Sequence, residues 1–307
     1  MSLASLDRFT ERFVSRRFFY GWTMVGVNFL TSMVTAGIGS YGLSFFVVPM
    51  AQALDVSRGA FSSVTLFRLL PLFLVPYLGS LADRKHGARW MLTTGGLVAG
   101  LALIATSRVS SLWQFYAAYG VVFGLANVAM GGQLVGPAIL AKWFIRMRGR
   151  AMAIGTMGIS AGGFLIAPLA GWLILNYGWR TAWIALGLVV ILCVSPLAAL
   201  LTRRQPEDIG LLPDGRKAPP QPNSGGAALA GWEDREYPWT VRQAIKTPAL
   251  WLLMGVNALA SLALSPVLIH QVAYIRDKGF DPSTATAVAT TMALAAIVAK
   301  PPWGFLA

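Results

Sequence analysis

Residues 79–89 read GSLADRKHGAR. Five ionisable side chains and two glycines crowd these positions, between long apolar runs at 60–82 and 90–107. Each run is long enough to cross a bilayer as a helix, which takes about 20 residues. The stretch therefore reads as a tight polar turn joining two membrane helices. Lipid offers no partner to an unpaired backbone amide, so helix is the expected form of every such run.

Working outward from the turn, the same pattern repeats. Apolar runs cover roughly 19–50, 60–82, 90–107, 111–141, 151–177, 180–202, 248–275 and 284–306, eight in all. At 56% hydrophobic and 12% charged residues, with a mean hydropathy of +0.61, the chain lies far from soluble composition. An all-α polytopic membrane protein is the expected class. Arg8, Arg12, Arg16 and Arg17 precede the first run, which is too long for a signal peptide and lacks a small-residue cleavage site, so it is expected to be retained. The single cysteine, Cys193, excludes an intrachain disulfide, and neither a metal-ligand spacing nor a cofactor motif is present.

Basic residues fix the expected orientation, because cytoplasmic loops collect Lys and Arg. With the N-terminus inside, 18 of the 25 fall on the cytoplasmic side and 5 on the other; Arg68 and Lys300 lie within spans. A net charge of +13 then reflects topology and contact with anionic lipid rather than nucleic-acid binding. The N-terminus and the central polar stretch are expected in the cytoplasm, and the spans in the inner membrane. The aromatic residues read mostly as lipid-facing or interfacial anchors.

Residues 203–247 form the only long polar stretch, rich in Pro, Gly and charge, and read as a linker. The chain divides at it into 1–202, six spans, the linker 203–247, and 248–307, two spans. Pro76, Gly79, Leu81 and Ala82 near the end of the second span align with Pro301, Gly304, Leu306 and Ala307 at the end of the eighth. The expectation is a second six-helix bundle that stops after its first two helices, and a chain that cannot alternate access by itself.

The turn resembles the loop motif between the second and third helices of the major facilitator superfamily, usually G-x-x-x-D-R-x-G-x-R. Here two residues, Lys85 and His86, stand where that motif has one. FFYGW at 18–22, AKWFIRMRGRAMAIG at 141–155, RRQPEDIGLLPDG at 203–215 and TPALWLL at 247–253 narrow the likeness to the bacterial monocarboxylate-transporter and oxalate/formate-antiporter branch. The resemblance implies two bundles rocking about a midplane site. Gly79, Asp83, Arg84, Gly87 and Arg89 then form a latch, in which Asp83 pairs with Arg148 or Arg150 or sits at the N-terminus of a facing helix. Gly79 is expected to let helices approach and Gly87 to free the turn. The competing reading is that these charges only set topology.

Arg68 is the most informative single residue. It lies about 12 Å into its span at a rise of about 1.5 Å per residue, where a cation costs roughly 2.5–3.5 kcal/mol. No acidic residue lies at matching depth in any span, so a transported anion is the expected counter-charge, unless backbone carbonyls or an acid beyond the chain serve. Lys300 resembles the basic residue, usually Arg, that the branch carries in its eighth helix; as Lys it is a point charge. It could also snorkel, or satisfy the carbonyls that Pro301 and Pro302 free at Ile297 and Val298. Tyr41, Asn127, Gln133, Asn257, His270 and Gln271 are further candidates for the cavity wall or for helix–helix hydrogen bonds. His270 is the one candidate for proton relay near neutral pH. Gly155, Gly158, Gly162 and Gly163, with Pro168, suit a close and sliding helix interface.

No nucleophile–base pair or phosphate loop is present, GGQLVG at 131–136 being glycine within a helix, so no enzyme is expected. The favoured reading is a secondary transporter of a small organic anion, by proton symport or anion exchange. The alternatives are a carrier of another solute and a non-transporting fragment or sensor.

Overall fold

The structure, a computed structural model, describes residues 19–130, 134–215 and 240–306, and among these every regular element is helical. Helix α1 runs Gly21–Ala53. At Gly37–Gly42 it widens into a π-turn stretch, and the carbonyls of Ile38 and Gly39 accept side-chain donors from other helices. Such widened turns recur at functional sites.

The second span, α2 (58–82), is a series of short pieces: Arg58–Ser62, Val64–Phe67, a 3-10 stretch Leu70–Leu74 and Val75–Ala82. Pro71 supplies no N–H to the ladder and clashes with the carbonyl four residues before it. The helix loosens immediately after Arg68. Helix α3 is Gly87–Thr106, and α4 comprises Leu112–Ala129, with a π stretch at Tyr116–Phe123, and Val135–Trp143.

Residues 148–201 form a 54-residue helical stretch, kinked at Gly178 with φ 80° and ψ 162° and widened into π turns at Val190–Val194. An L side chain rarely adopts that backbone, so the glycine reverses the chain and gives α5 (148–177) and α6 (179–201). Helices α7 (Pro248–Asp277) and α8 (Pro282–Leu306) complete the set. Six of these helical stretches are long and apolar enough to cross a membrane, the 54-residue one counting once. All eight expected spans are represented by helical segments among the described residues, α2 and α4 in more than one piece.

Helices α1 to α6 enclose two apolar clusters. Many aromatic residues are here rather than facing lipid, which corrects the expectation. Phe61, Phe115, Tyr119 and Phe123 stack in sequence at centroid distances of 4.7, 5.4 and 4.8 Å. Phe46 stacks on Trp183 at 3.9 Å. Residues four apart on α4 share one face, so its aromatics make a ladder. Trp90, Trp113, Trp172, Trp251 and Trp303 do stand exposed.

Glycine sets how α5 meets its neighbours. A Cβ on Gly158 would lie 2.0 Å from the Phe29 carbonyl oxygen, and one on Gly162 2.2 Å from that of Met33. Backbones of α1 and α5 thus touch directly, as small residues allow where no hydrophobic force separates helix from lipid. On another face of α5, Gly304 of α8 approaches Ala153, and Ala293 approaches Gly163.

One end of the bundle carries the 79–89 turn, the 143–148 turn and the segment after α6. The start of the expected linker docks there. Ile209 and Leu211 join the second apolar cluster, and the Asp214 carboxylate accepts the N–H groups of Ile145, Arg146 and Met147 just before α5, at 2.9 to 3.4 Å. Negative charge is stabilised at a helix N-terminus, so residues 203–215 are ordered structure. Residues 216–239 lie outside the described set.

Candidate functional site

Between α1, α2, α4, α5 and α7 lies a cavity of about 490 Å³. Arg68 stands on its wall, at the break in α2. One guanidinium nitrogen donates to the Gly39 carbonyl of the widened α1 turn. The guanidinium carbon lies 5.6 Å from the centroid of Tyr119 and 5.8 Å from that of Phe123. Both aromatic faces attract a cation. Among the described lining residues there is no carboxylate.

Asn127 of α4 reaches the same point. A Cβ at Gly39 would lie 2.9 Å from Arg68 Nη2 and 3.0 Å from Asn127 Nδ2, so only glycine leaves room for both. The Asn127 amide nitrogen is buried with no hydrogen-bond partner. Arg68 and Asn127 therefore bring a fork of charged donors and an unused NH₂ group to one side of a cavity without negative charge. A buried amide N–H left unpaired costs roughly 1–3 kcal/mol, a cost that a hydrogen-bond acceptor in the cavity would offset. Tyr41 also lines the cavity, its ring against Gly163 of α5.

The other candidates are placed differently. Lys300 donates to the Thr156 carbonyl of α5 at 2.9 Å and is not among the residues lining this cavity. Helix α8 continues through Pro301 and Pro302, and the ammonium satisfies a carbonyl of the neighbouring helix instead of those at Ile297 and Val298. Asn257 is exposed and bonds back to Leu253 of its own helix at 3.1 Å, and Gln271 does likewise to Leu268, so neither reaches the cavity. His270, half-buried near the far end of α7, is also absent from its wall. Gln133 lies outside the described residues.

The charged turn is built, with different partners. Asp83 pairs with Lys142 of α4 at 2.5 Å, and its own carbonyl accepts from Arg204 at 2.7 Å. Arg148 and Arg150, the expected partners, are engaged elsewhere. Arg148 donates to the carbonyls of Phe144 and Ala141, and Arg150 lies 5.1 Å from the Phe305 ring of α8. Arg89 donates to the Ala199 carbonyl of α6, while Arg84 is exposed. Gly87 is needed sterically, since a Cβ there would stand 1.8 Å from the Leu81 oxygen. Gly79 has nothing within 4 Å, so the close approach expected of it is made by no described residue.

Sequence reasoning missed the small hydroxyls of the cavity, Thr35, Ser40, Ser261 and Ser265. Their signal was periodic: Ser261 and Ser265 are one helical turn apart in an otherwise apolar span. It also missed Tyr119 and Phe123, whose spacing of four on α4 is that of one face.

The family model for the Major Facilitator Superfamily matches residues 29–307. Monocarboxylate transporter 13 of Rattus norvegicus is 25% identical over 290 residues, covering 94% of this chain and 61% of the relative. Monocarboxylate transporter 12-B of Danio rerio is 26% identical over 297 residues, with 94% and 61% covered. Monocarboxylate transporter 2 of Homo sapiens is 22% identical over 295 residues, with 94% and 60% covered. The chain thus spans about three-fifths of the length of these relatives.

Proposed function

The chain belongs to the major facilitator superfamily, and from that premise we propose that it serves secondary transport of a small organic anion, a monocarboxylate or related carboxylate, held in the cavity beside Arg68. The observation that carries this reading is the donor set itself. Arg68 faces a cavity of about 490 Å³ with a backbone carbonyl and two aromatic rings for partners, and the unpaired amide of Asn127 converges on the same point. A carboxylate fits the guanidinium fork with two parallel hydrogen bonds. The names of the relatives support the same class of substrate.

In this reading the basic end faces the cytoplasm and the spans lie in the inner membrane. Residues 1–202 form one bundle, 203–247 connect it, and 248–307 begin the second. Movement is by alternating access, coupled to a proton or to a counter-anion. Lys300 tethers α8 to α5, and the 79–89 turn holds one state through Asp83 and Lys142.

The test is uptake of radiolabelled pyruvate by proteoliposomes carrying the full-length protein. Arg68→Gln is expected to abolish uptake, and Arg68→Lys to retain a minor part, because a point charge replaces a fork. Uptake unchanged in Arg68→Gln would sink the anion reading and favour a carrier of a neutral solute.

A further inference from the structure

We infer that a second anion site, for a phosphate group, lies at the basic end between the 79–89 turn and the segment leaving α6. A small pocket of about 80 Å³ is lined by Lys85, His86 and Arg89 of the turn and by Thr202, Arg203 and Arg204 beyond α6. It is separate from the central cavity and shares no lining residue with it. The proposal does not depend on the transport reading.

Two hydrogen-bond donors buried within its lining residues have nothing to donate to. Thr202 is 1% exposed, and its hydroxyl has no partner; Arg204 Nε is likewise buried and unpartnered. The rest of the Arg204 guanidinium is engaged, one nitrogen with the Asp83 carbonyl at 2.7 Å and the other with Asp208 at 3.2 Å. Asp208 is the only acid among the described residues of the wall, against Lys85, Arg89, Arg203 and Arg204. Arg89 and Arg203 already donate to backbone carbonyls, so they bring charge to the pocket without being idle.

A positive pocket whose lining residues carry orphan donors calls for an oxyanion. The donors come from two residues on one strand of chain, and Lys85 and Arg89 from a different turn. An acceptor must therefore present oxygens in several directions, as a tetrahedral phosphate does and a planar carboxylate does not. Trp90 follows Arg89 and is 58% exposed, and Leu200, also exposed, precedes Thr202. The apolar belt of the bundle ends at this level, which places the pocket at the depth of lipid headgroups. The phosphate has two available sources, a lipid headgroup and dissolved inorganic phosphate.

The experiment is thermal unfolding of the full chain in phosphatidylcholine nanodiscs, in two arms at matched ionic strength. One arm adds inorganic phosphate, and the other replaces part of the lipid with phosphatidylglycerol. Wild type is compared with Thr202→Val and with Lys85→Gln/Thr202→Val. The expected result is a rise of several degrees for wild type in at least one arm, cut by half or more in the double variant; the responding arm identifies the source. Without added anion, Thr202→Val should melt at or above wild type, because it removes an unsatisfied hydroxyl. Equal rises in wild type and double variant, no rise in either arm, or a Thr202→Val chain that melts well below wild type without anion would each overturn the proposal.

Discussion

At the scale of the residue, Arg68 and Gly39 act together. The guanidinium and the Asn127 amide close on the Gly39 backbone so tightly that a would-be Cβ would stand 2.9 and 3.0 Å from them, inside van der Waals contact. Gly39→Ala keeps every charge yet displaces both donors. It is expected to weaken monocarboxylate binding several-fold with little change in melting temperature, as equilibrium binding would show. Asp281 lies in the turn before α8 and accepts the side-chain hydroxyls and backbone N–H groups of Ser283 and Thr284. Those bonds, first from Ser283 and then from Thr284, hold its carboxyl down at about 2. A depressed folded-state value means stabilisation that is complete above the usual carboxylate range and lost as pH falls through about 2. Asp281→Asn should therefore lower the melting temperature at pH 6 and narrow its gap to wild type as pH falls from 4 to 2. Arg68 was legible in the sequence because a cation inside an apolar run has no solvated alternative. The Asp83–Lys142 pair was not, because an exposed carboxylate with several bases in reach is assigned by loop geometry that composition does not carry.

At the scale of the element, the interface of α1 with α5 is made of backbone. Gly158→Ala would drive a methyl to 2.0 Å from the Phe29 carbonyl, whereas a Cβ at Gly26, on an open face of the same α1, meets nothing within 4 Å. Overpacking of that kind costs about 1–3 kcal/mol, and replacing an unhindered helical glycine by alanine gains up to about 1 kcal/mol. The two substitutions should move the melting temperature in opposite directions, and equal effects would contradict the direct α1–α5 contact. The spans themselves, the turn at Gly178 and the glycine face of α5 could be read from the sequence, because length, apolarity and spacing report them directly. The widened turn of α1 and the unwinding of α2 after Arg68 could be read only in part. Pro71 announces a weak point in the ladder, but the register in which Gly39 offers its carbonyl is chosen by Arg68 and Tyr119 on other helices.

At the scale of the whole molecule, α7 and α8 meet the first six helices unequally. Helix α8 follows α5 from Ala293 beside Gly163 to Gly304 beside Ala153. Helix α7 buries Leu268, Val272 and Ala273 toward the end opposite the basic turns, while residues 251–267 are exposed. At that opposite end Arg58 of α2 pairs with Asp277 of α7 at 2.5 Å. This contact closes one end of the arrangement while the α7 side parts at the other. Both partners are exposed, so the pair is weak and screened by salt. Arg58→Gln is expected to shift the distribution of distances between spin labels at that end toward longer values at low salt and to leave it unchanged at high salt. The resemblance in the 79–89 turn foretold a helical fold of the major facilitator kind, but the pairing of ends depends on contacts far apart in the chain. The central claim is that Arg68 makes the cavity an anion site, and the most direct measurement is equilibrium binding of lactate and its uncharged isostere lactamide to the purified chain, in wild type and in Arg68→Gln. The account predicts that wild type binds lactate at least about tenfold more tightly than lactamide, the difference of a single desolvated charge-assisted pair, and that Arg68→Gln erases the preference. Equal affinities in wild type, or a preference for lactate that survives Arg68→Gln, would contradict it.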